Sequence, residues 1–242
     1  MARSARLNVV GKPLPRVDAW GKVTGRTRYA DDLSLPRMLY GRLLLSTQPH
    51  AILKRVDVSR ALQLEGVLAV ITGQDVPIRY GIMPVGQDET ALALDKVRYA
   101  GEPVAAVAAV DEDTAEEALS LIEVEYEPLR PIMSIEEALR HPEPRIHEYG
   151  PFGNVHRLAS LEFGDVAQGF AEADYVREDL FFFQGNTHLP MEQHSALALW
   201  DPAEGKLTLW SATQTPHYVQ RALAKALELP ESRVRVIATP VG

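Results

Sequence analysis

Four residues in one short turn near the end of the chain carry side chains that can hydrogen-bond to a ligand: Ser211, Thr213, Gln214 and Thr215, with Ala212 and Pro216 completing the turn. Thr208-Leu209-Trp210 before them reads as a short strand. After them, Val219, Ala222, Leu223, Ala226 and Leu227 fall on one helical face, with Gln220, Arg221, Lys225 and Glu228 opposite. Thr215 is the expected helix cap, with Pro216 at the first helical position, where its missing N–H costs nothing. Gln214 is therefore expected at a strand end just before a helix N-terminus, where free N–H groups and the helix dipole favour anions. A neutral amide there can donate to an oxo or phosphate oxygen. The same turn also reads as a cap that satisfies only its own backbone. Pro230 is expected to stop the helix. Val234, Val236 and Ile237 form the next strand, and the sequence ends on Val241-Gly242.

Other candidates are weaker. His188, Glu192 and His194 are the one tempting metal cluster, but Pro190 interrupts any helical pairing of the histidines. On an extended segment Glu192 and His194 share a face. Glu192 fits a buried, paired carboxylate better than a ligand. No protein metal ligand is therefore assigned. His217 can reach a ligand from the helix start or can face solvent. The sequence holds no G-x-S-x-G elbow, Walker loop or dinucleotide fingerprint. It also holds no cysteine, which removes disulfides, thiolate nucleophiles and cysteine-held iron–sulfur clusters.

Composition narrows the class. With 46% hydrophobic residues in 242, a packed core is expected and disorder is not. A net charge of −8 argues against a nucleic-acid footprint, which needs a basic patch. No apolar run is long enough to span a bilayer. Arg3 and Arg6 precede no apolar signal region and are not adjacent, so a cytoplasmic location is the expectation.

Taken in order, residues 1–16 form a basic, proline-bearing lead-in, and Arg16 to Gly25 a turn in which Asp18, Lys22 and Thr24 hold the loop. Strands are expected at 38–47 and 52–58. The continuous apolar runs at 67–72 and 103–110 suit strands buried on both faces. Residues 81–94 read as an irregular loop. Asp113 with Glu116 marks a helix start that buries Ala115, Ala118, Leu119 and Ile122. Residues 123–127 alternate as a half-exposed strand, and Ser134 with Glu137 opens a short helix. Prolines and glycines crowd 141–153, the signature of a linker. Beyond it lie a short helix ending near Glu172, strands at 175–183 and 195–200, and a hairpin loop at 201–205. Phe181, Phe182 and Phe183 in a row call for burial on both faces of their strand.

Several strings resemble the molybdenum-binding subunits of the xanthine dehydrogenase and aldehyde oxidase family. They are Arg16-Val17-Asp18-Ala19-Trp20-Gly21-Lys22-Val23-Thr24-Gly25; Lys96-Val97-Arg98-Tyr99 with Gly101 and Pro103-Val104-Ala105; Val124-Glu125-Tyr126-Glu127-Pro128-Leu129; and Ser211, Thr213-Gln214 followed by a helix and Arg235-Val236-Ile237 running into Val241-Gly242. Residues 95–101 and 163–167 look somewhat closer to the 4-hydroxybenzoyl-CoA reductase branch. The resemblance implies a mixed α/β (α+β) chain with an α/β hammerhead domain at 1–140, a linker at 141–153 and the first part of a molybdopterin-binding domain at 154–242. It also implies that more chain follows Gly242.

In that family a glutamine matching Gln214 lies beside the molybdenum oxo ligand, and a glycine-rich turn, of which Gly242 is the first glycine here, approaches the metal. Gln214 and Gly242 are therefore the implied cofactor-binding residues, with Gln214 the implied catalytic one. The implied reaction is the two-electron oxidation of an aldehyde, heteroaromatic or aromatic acyl-CoA carbon with water as the oxygen source, or its reductive counterpart. The implied cofactor is a molybdenum-molybdopterin whose dithiolene supplies the sulfur ligands. Iron–sulfur clusters and FAD would sit on partner subunits or domains, beside the remainder of the molybdenum subunit. The family's general-base glutamate falls beyond Gly242, so these residues alone are expected to show no turnover. The alternative is a non-catalytic module that docks iron–sulfur and flavin subunits. Residues 1 to about 140 are expected to fold alone, residues 154–242 are not, and proteolysis is expected to cut first between His141 and Gly153.

Overall fold

The computed structural model describes residues 7–81, 86–150, 152–187 and 189–241. Residues 30–140 are organised on two three-stranded antiparallel sheets. Strands β1 (Tyr40–Leu45), β2 (Ala51–Asp57), β3 (Val67–Thr72), β4 (Lys96–Val97), β5 (Pro103–Ala109) and β6 (Glu123–Pro128) are ordered β1-β5-β3 in one sheet and β4-β2-β6 in the other. Before them, a short helix α1 (Ala19–Val23) takes the place of the expected turn; Lys22 reaches Asp18 at 3.1 Å and Thr24 Oγ1 donates to the Trp20 carbonyl at 2.7 Å.

Small side chains on β5 let helix α2 (Glu112–Ser120) lie close. Ala105, Val107 and Ala109 face Ala115, Ala118 and Ile122 in one cluster, joined by Leu44, Val67 and Val70 from the flanking strands. Val104 points the other way, into a second cluster with Ala51, Val97 and Ala93. Burying these apolar groups is the main driving force, at about 25 cal/mol per Å².

The helix start differs from its expected cap. Asp111 is the cap, its carboxylate accepting the Thr114 N–H at 2.8 Å, two residues ahead of Asp113. Helix α3 (Ile135–Arg140) starts as expected, with Ser134 accepting from the Glu137 N–H at 3.1 Å. β3 departs from its reading as doubly buried, since Leu68 and Ile71 are exposed. β3 is an edge strand, covered by α2 on one face only, and a continuous apolar run cannot distinguish that from a central strand.

Several carboxylates are held below their usual range by donors that favour the charged form. The Thr114 backbone N–H acts on Asp111, Ser59 on Asp57, the Met133 N–H on Glu137 and the Lys96 ammonium on Glu148. Groups with lowered native values stabilise the fold fully above their unfolded values and lose that contribution as pH falls through the lowered ones. The urea midpoint of the chain is therefore expected to decline once pH drops below about 4, the ordinary carboxylate range. A midpoint unchanged from pH 6 to pH 3 contradicts this.

The later part holds helix α4 (Val166–Glu172), capped by Asp165, and strands β7 (Ala196–Asp201), β8 (Lys206–Ser211) and β9 (Val234–Ala238), with helix α5 (Pro216–Ala226) crossing from β8 to β9. β7 pairs antiparallel with β8, and β8 pairs parallel with β9, Leu207 opposite Val234 and Ser211 opposite Ala238. Parallel strands need such a crossover. α5 packs on one sheet face through Ala224 and Leu223, against Leu207, Val234 and Val236. Ala224, absent from the expected apolar face, is its most buried residue, and Leu227 is exposed. The helix ends at Ala226, before Pro230. Leu227 caps it, and Glu228 turns the chain with φ +53°.

The expected strand at 175–183 is absent. Residues 173–187 and 189–195 hold no regular element, and Phe181, Phe182 and Phe183 are 87%, 90% and 82% exposed. A strand forms only against a partner edge and a covering layer, and no sheet edge among the described residues meets these phenylalanines.

Candidate functional site

The C-terminal ends of the parallel strands β8 and β9 meet at the polar turn, the place where open α/β sheets bind ligands. Ser211 closes β8, and its carbonyl accepts from the Thr213 N–H at 2.9 Å and from the Thr239 N–H at 3.0 Å. The Ala212 N–H donates to the Ser195 carbonyl at 3.3 Å. The turn is thus held from β7 on one side and β9 on the other. Gln220 Nε2 adds a tie between α5 and β9, donating to the Val234 carbonyl at 2.9 Å and to the Glu231 carbonyl at 3.1 Å.

Thr213, rather than Thr215, closes the turn. Thr213 Oγ1 accepts the Thr215 N–H at 3.1 Å, and Thr215 makes no side-chain cap bond. The helix instead begins through the Thr215 carbonyl, which accepts from the Tyr218 and Val219 N–H groups at 3.0 and 3.2 Å. The preference of threonine for caps fits both positions equally, and only the backbone path decides between them.

Gln214 is exposed, and its amide is absent from the hydrogen bonds that close the turn. The side chain is therefore available to a ligand. Ser195 Oγ and Thr239 Oγ1, flanking Ala212 at the same strand ends, are buried without a hydrogen-bond partner among the described residues. Ser211, Ala212, Thr213, Gln214 and Thr215 carry no charge. The free donors are neutral, which suits an electron-rich oxygen and gives no reason to attract a cation.

The remaining candidates lie apart from this turn or do not add to it. His217 is exposed on α5, and Arg221 stacks over the next residue, Tyr218, 4.7 Å from its ring centroid. His194 is exposed, Glu192 is half-buried, and His188 and Gly242 lie outside the described residues. No group of three or more metal-binding side chains comes together among the described residues. A hollow of about 240 Å³ lies at the other end of the sheet, where Asp201, Glu204, Lys206, Arg233 and Arg235 line it with mixed charge. Its opposing charges favour no one class of ligand.

Within the string Lys96-Val97-Arg98-Tyr99 with Gly101, singled out in the sequence, Arg98 and Gly101 hold the local structure, together with Glu102. Arg98 and Glu102 pair at 3.2 Å with side chains only 12% and 13% exposed, and Glu102 also accepts the Arg98 backbone N–H at 2.5 Å. Gly101 takes φ +94° so that its N–H can reach the Ser46 carbonyl at 2.8 Å.

Comparison with known proteins fits this architecture. Residues 24–130 match the family described as aldehyde oxidase and xanthine dehydrogenase, a/b hammerhead domain, and residues 146–242 match the molybdopterin cofactor-binding domain. The chain is 40% identical to a probable xanthine dehydrogenase subunit of Bacillus subtilis, over 97% of this chain and 31% of that protein. It is 39% identical to the nicotinate dehydrogenase large molybdopterin subunit of Eubacterium barkeri, over 97% of this chain and 54% of that protein. Among solved structures, quinoline 2-oxidoreductase from Pseudomonas putida superposes with a TM-score of 0.82 at 34% identity, over 96% of this chain and 30% of that one. A Cu,Mo-CO dehydrogenase superposes with a TM-score of 0.82 at 31% identity, over 96% of this chain and 31% of that one. The chain thus spans between about a third and a half of the length of these curated relatives.

The mixed α+β sheets, with a crossover that offers neutral donors at its strand ends, agree with the two domains these matches name. The chain belongs to the aldehyde oxidase and xanthine dehydrogenase family, with a hammerhead domain followed by molybdopterin-binding sequence.

Proposed function

We propose that this chain is the N-terminal part of a molybdenum hydroxylase catalytic subunit. The reaction is oxidation of an aldehyde, heteroaromatic or aromatic acyl-CoA carbon with water as the oxygen source, or its reductive counterpart. The observation that carries the reading is the uncommitted amide of Gln214 at the C-terminal ends of β8 and β9, in residues that match a molybdopterin cofactor-binding domain. We divide the chain into a hammerhead unit at 1–140, a connecting segment at 141–153 and the first part of the pterin-binding unit at 154–242.

The donor set fits the cofactor. A pterin dithiolene would supply the sulfur ligands itself, so that no protein cysteine is required, and the 242 residues hold none. When bound, the cofactor supplies the two-electron chemistry. Gln214 would then serve as a neutral donor to an electron-rich oxygen, and the family resemblance makes Gly242 the second residue we assign to cofactor binding. Thr213 and the strand ends keep the Gln214 backbone in place while its side chain turns to the ligand.

Electrons would leave through iron–sulfur clusters and FAD on partner subunits or domains, in keeping with relatives that are themselves named as subunits. No described helix is long and apolar enough to cross a membrane, and we place the enzyme in the cytoplasm. The relatives' names span xanthine, nicotinate and carbon monoxide, so the substrate calls for a panel.

The test is purification of the longer protein with its partner subunits, followed by molybdenum and pterin analysis and anaerobic reduction by that panel. Stoichiometric metal and pterin with reduction by one substrate class is the expected result. A protein free of both metal and pterin leaves the docking-module reading instead. Turnover by residues 1–242 alone would also overturn the assignment.

A further inference from the structure

The segment that joins the two units is bound down along its length. Lys96, on β4 and 12% exposed at its side chain, donates to the Arg145 carbonyl at 2.5 Å and to Glu148 Oε1 at 2.7 Å. Asp88, 7% exposed, meets His147 Nδ1 at 3.0 Å. Two consecutive residues, His147 and Glu148, thus meet two charged groups from separate places in the first unit. The segment is also closed upon itself. Asn154 Oδ1 accepts the Ile146 N–H at 2.8 Å, and Asn154 Nδ2 donates to the His141 carbonyl at 2.7 Å and the Pro144 carbonyl at 3.3 Å. Arg145 Nη2 donates to the Gly150 carbonyl at 3.0 Å. The His156 ring lies 5.3 Å from the Tyr149 ring and close over Gly86, where an added Cβ would sit 3.1 Å from the imidazole.

We infer that residues 141–156 are a conformational strap: they fix the direction in which the chain leaves the first unit, and so restrain the unit that carries Gln214. A flexible tether needs neither a nearly buried ammonium nor a nearly buried carboxylate. Such groups are costly without partners, and among the described residues the side chain that meets the Asp88 carboxylate, His147, lies in the strap. Proline and glycine density marks a linker in sequence. It does not tell a tether from a loop whose backbone groups are satisfied by one asparagine.

Hydrogen exchange on the longer protein that contains these residues tests the restraint. The Ile146 amide is expected to exchange at least about tenfold more slowly than an unstructured amide, since exchange requires the strap to open. Asn154→Ala is expected to erase that protection while the amides of Val104 to Val107 stay protected. Should Asn154→Ala unfold the chain, Glu148→Ala removes one exposed partner of Lys96 and is expected to speed exchange across 145–148 about threefold. With any cysteines outside residues 1–242 replaced, Glu65→Cys and Lys225→Cys supply the two sites for spin labels. Their distance distribution is expected to be narrow with the strap intact and broader in Asn154→Ala or Glu148→Ala. An unprotected Ile146 amide in the parent chain, or variants that change neither exchange nor the distance distribution, overturns the inference.

Discussion

Alanine at position 214 is expected to give a longer protein that folds and loads its cofactor, while substrate reduces it about a hundredfold more slowly, the low end for loss of one preorganised donor. Folding is spared because Thr213, the Ser211 carbonyl and the Ser195 carbonyl close the turn without the Gln214 amide. The rate suffers only if the amide's bond strengthens as charge builds on the oxygen it faces. A bond of equal strength in ground and transition states leaves the chemical step unchanged. Gln214→Glu is expected to be slower still, because it sets a carboxylate against an electron-rich oxygen, where an unpaired charge costs more than a lost bond. Rapid-reaction reduction, with metal and pterin measured on the same samples, gives the answer. Parent-like rates at full loading in Gln214→Ala would return the residue to a plain turn position.

The second large effect lies in the first unit. Arg98→Ala is expected to lower stability by about 3 kcal/mol, because it leaves Glu102 ionised and nearly buried without its cation. The same change removes the nearly buried guanidinium that also donates to the Lys96 carbonyl at 3.3 Å. The paired variant Arg98→Met with Glu102→Leu is expected to recover more than half of the loss, since it removes both charges and keeps the volume. Urea unfolding of the three proteins separates a lost charge partner from lost packing. If the double variant is as unstable as Arg98→Ala, the bend depends on the Glu102 bond to the Arg98 backbone N–H, and the ion pair is secondary.

Much of this fold was legible because its strands alternate or run apolar between clear breaks. β2, β3, β5 and β6 fall within a residue or two of their expected places, and α3 begins at its expected cap. The misreadings share one cause. Asp111 and Asp113 are equally good caps by residue type, as are Thr213 and Thr215, and choosing between them requires the backbone path. Leu68, Ile71 and the three phenylalanines have the composition of buried strand residues. Burial depends on a neighbour that composition does not name. The position of Gln214 was readable from strand and helix signals alone; that its amide stays out of the turn's hydrogen bonds was not. The strap was hidden for a similar reason, since Asp88, Lys96 and Asn154 are ordinary surface residues until the fold brings them together.

The strand order of the first unit also sets a timetable for synthesis. β1 leaves the ribosome with no neighbour, because among the described residues its only strand partner is β5, with Tyr40 opposite Ala109. β3 waits for the same strand, with Val67 opposite Ala109. At ribosomal speeds of ~5–20 residues per second, β1 stays unpaired for roughly 4 to 14 seconds. Neither outer strand can join the sheet before the alanine-rich strand arrives between them. During that interval Leu43, Leu44 and Leu45 are open to chaperones and to other nascent chains. A pause in translation just before Pro103 would lengthen this exposure, and one after Pro128 would come when all six strands are made.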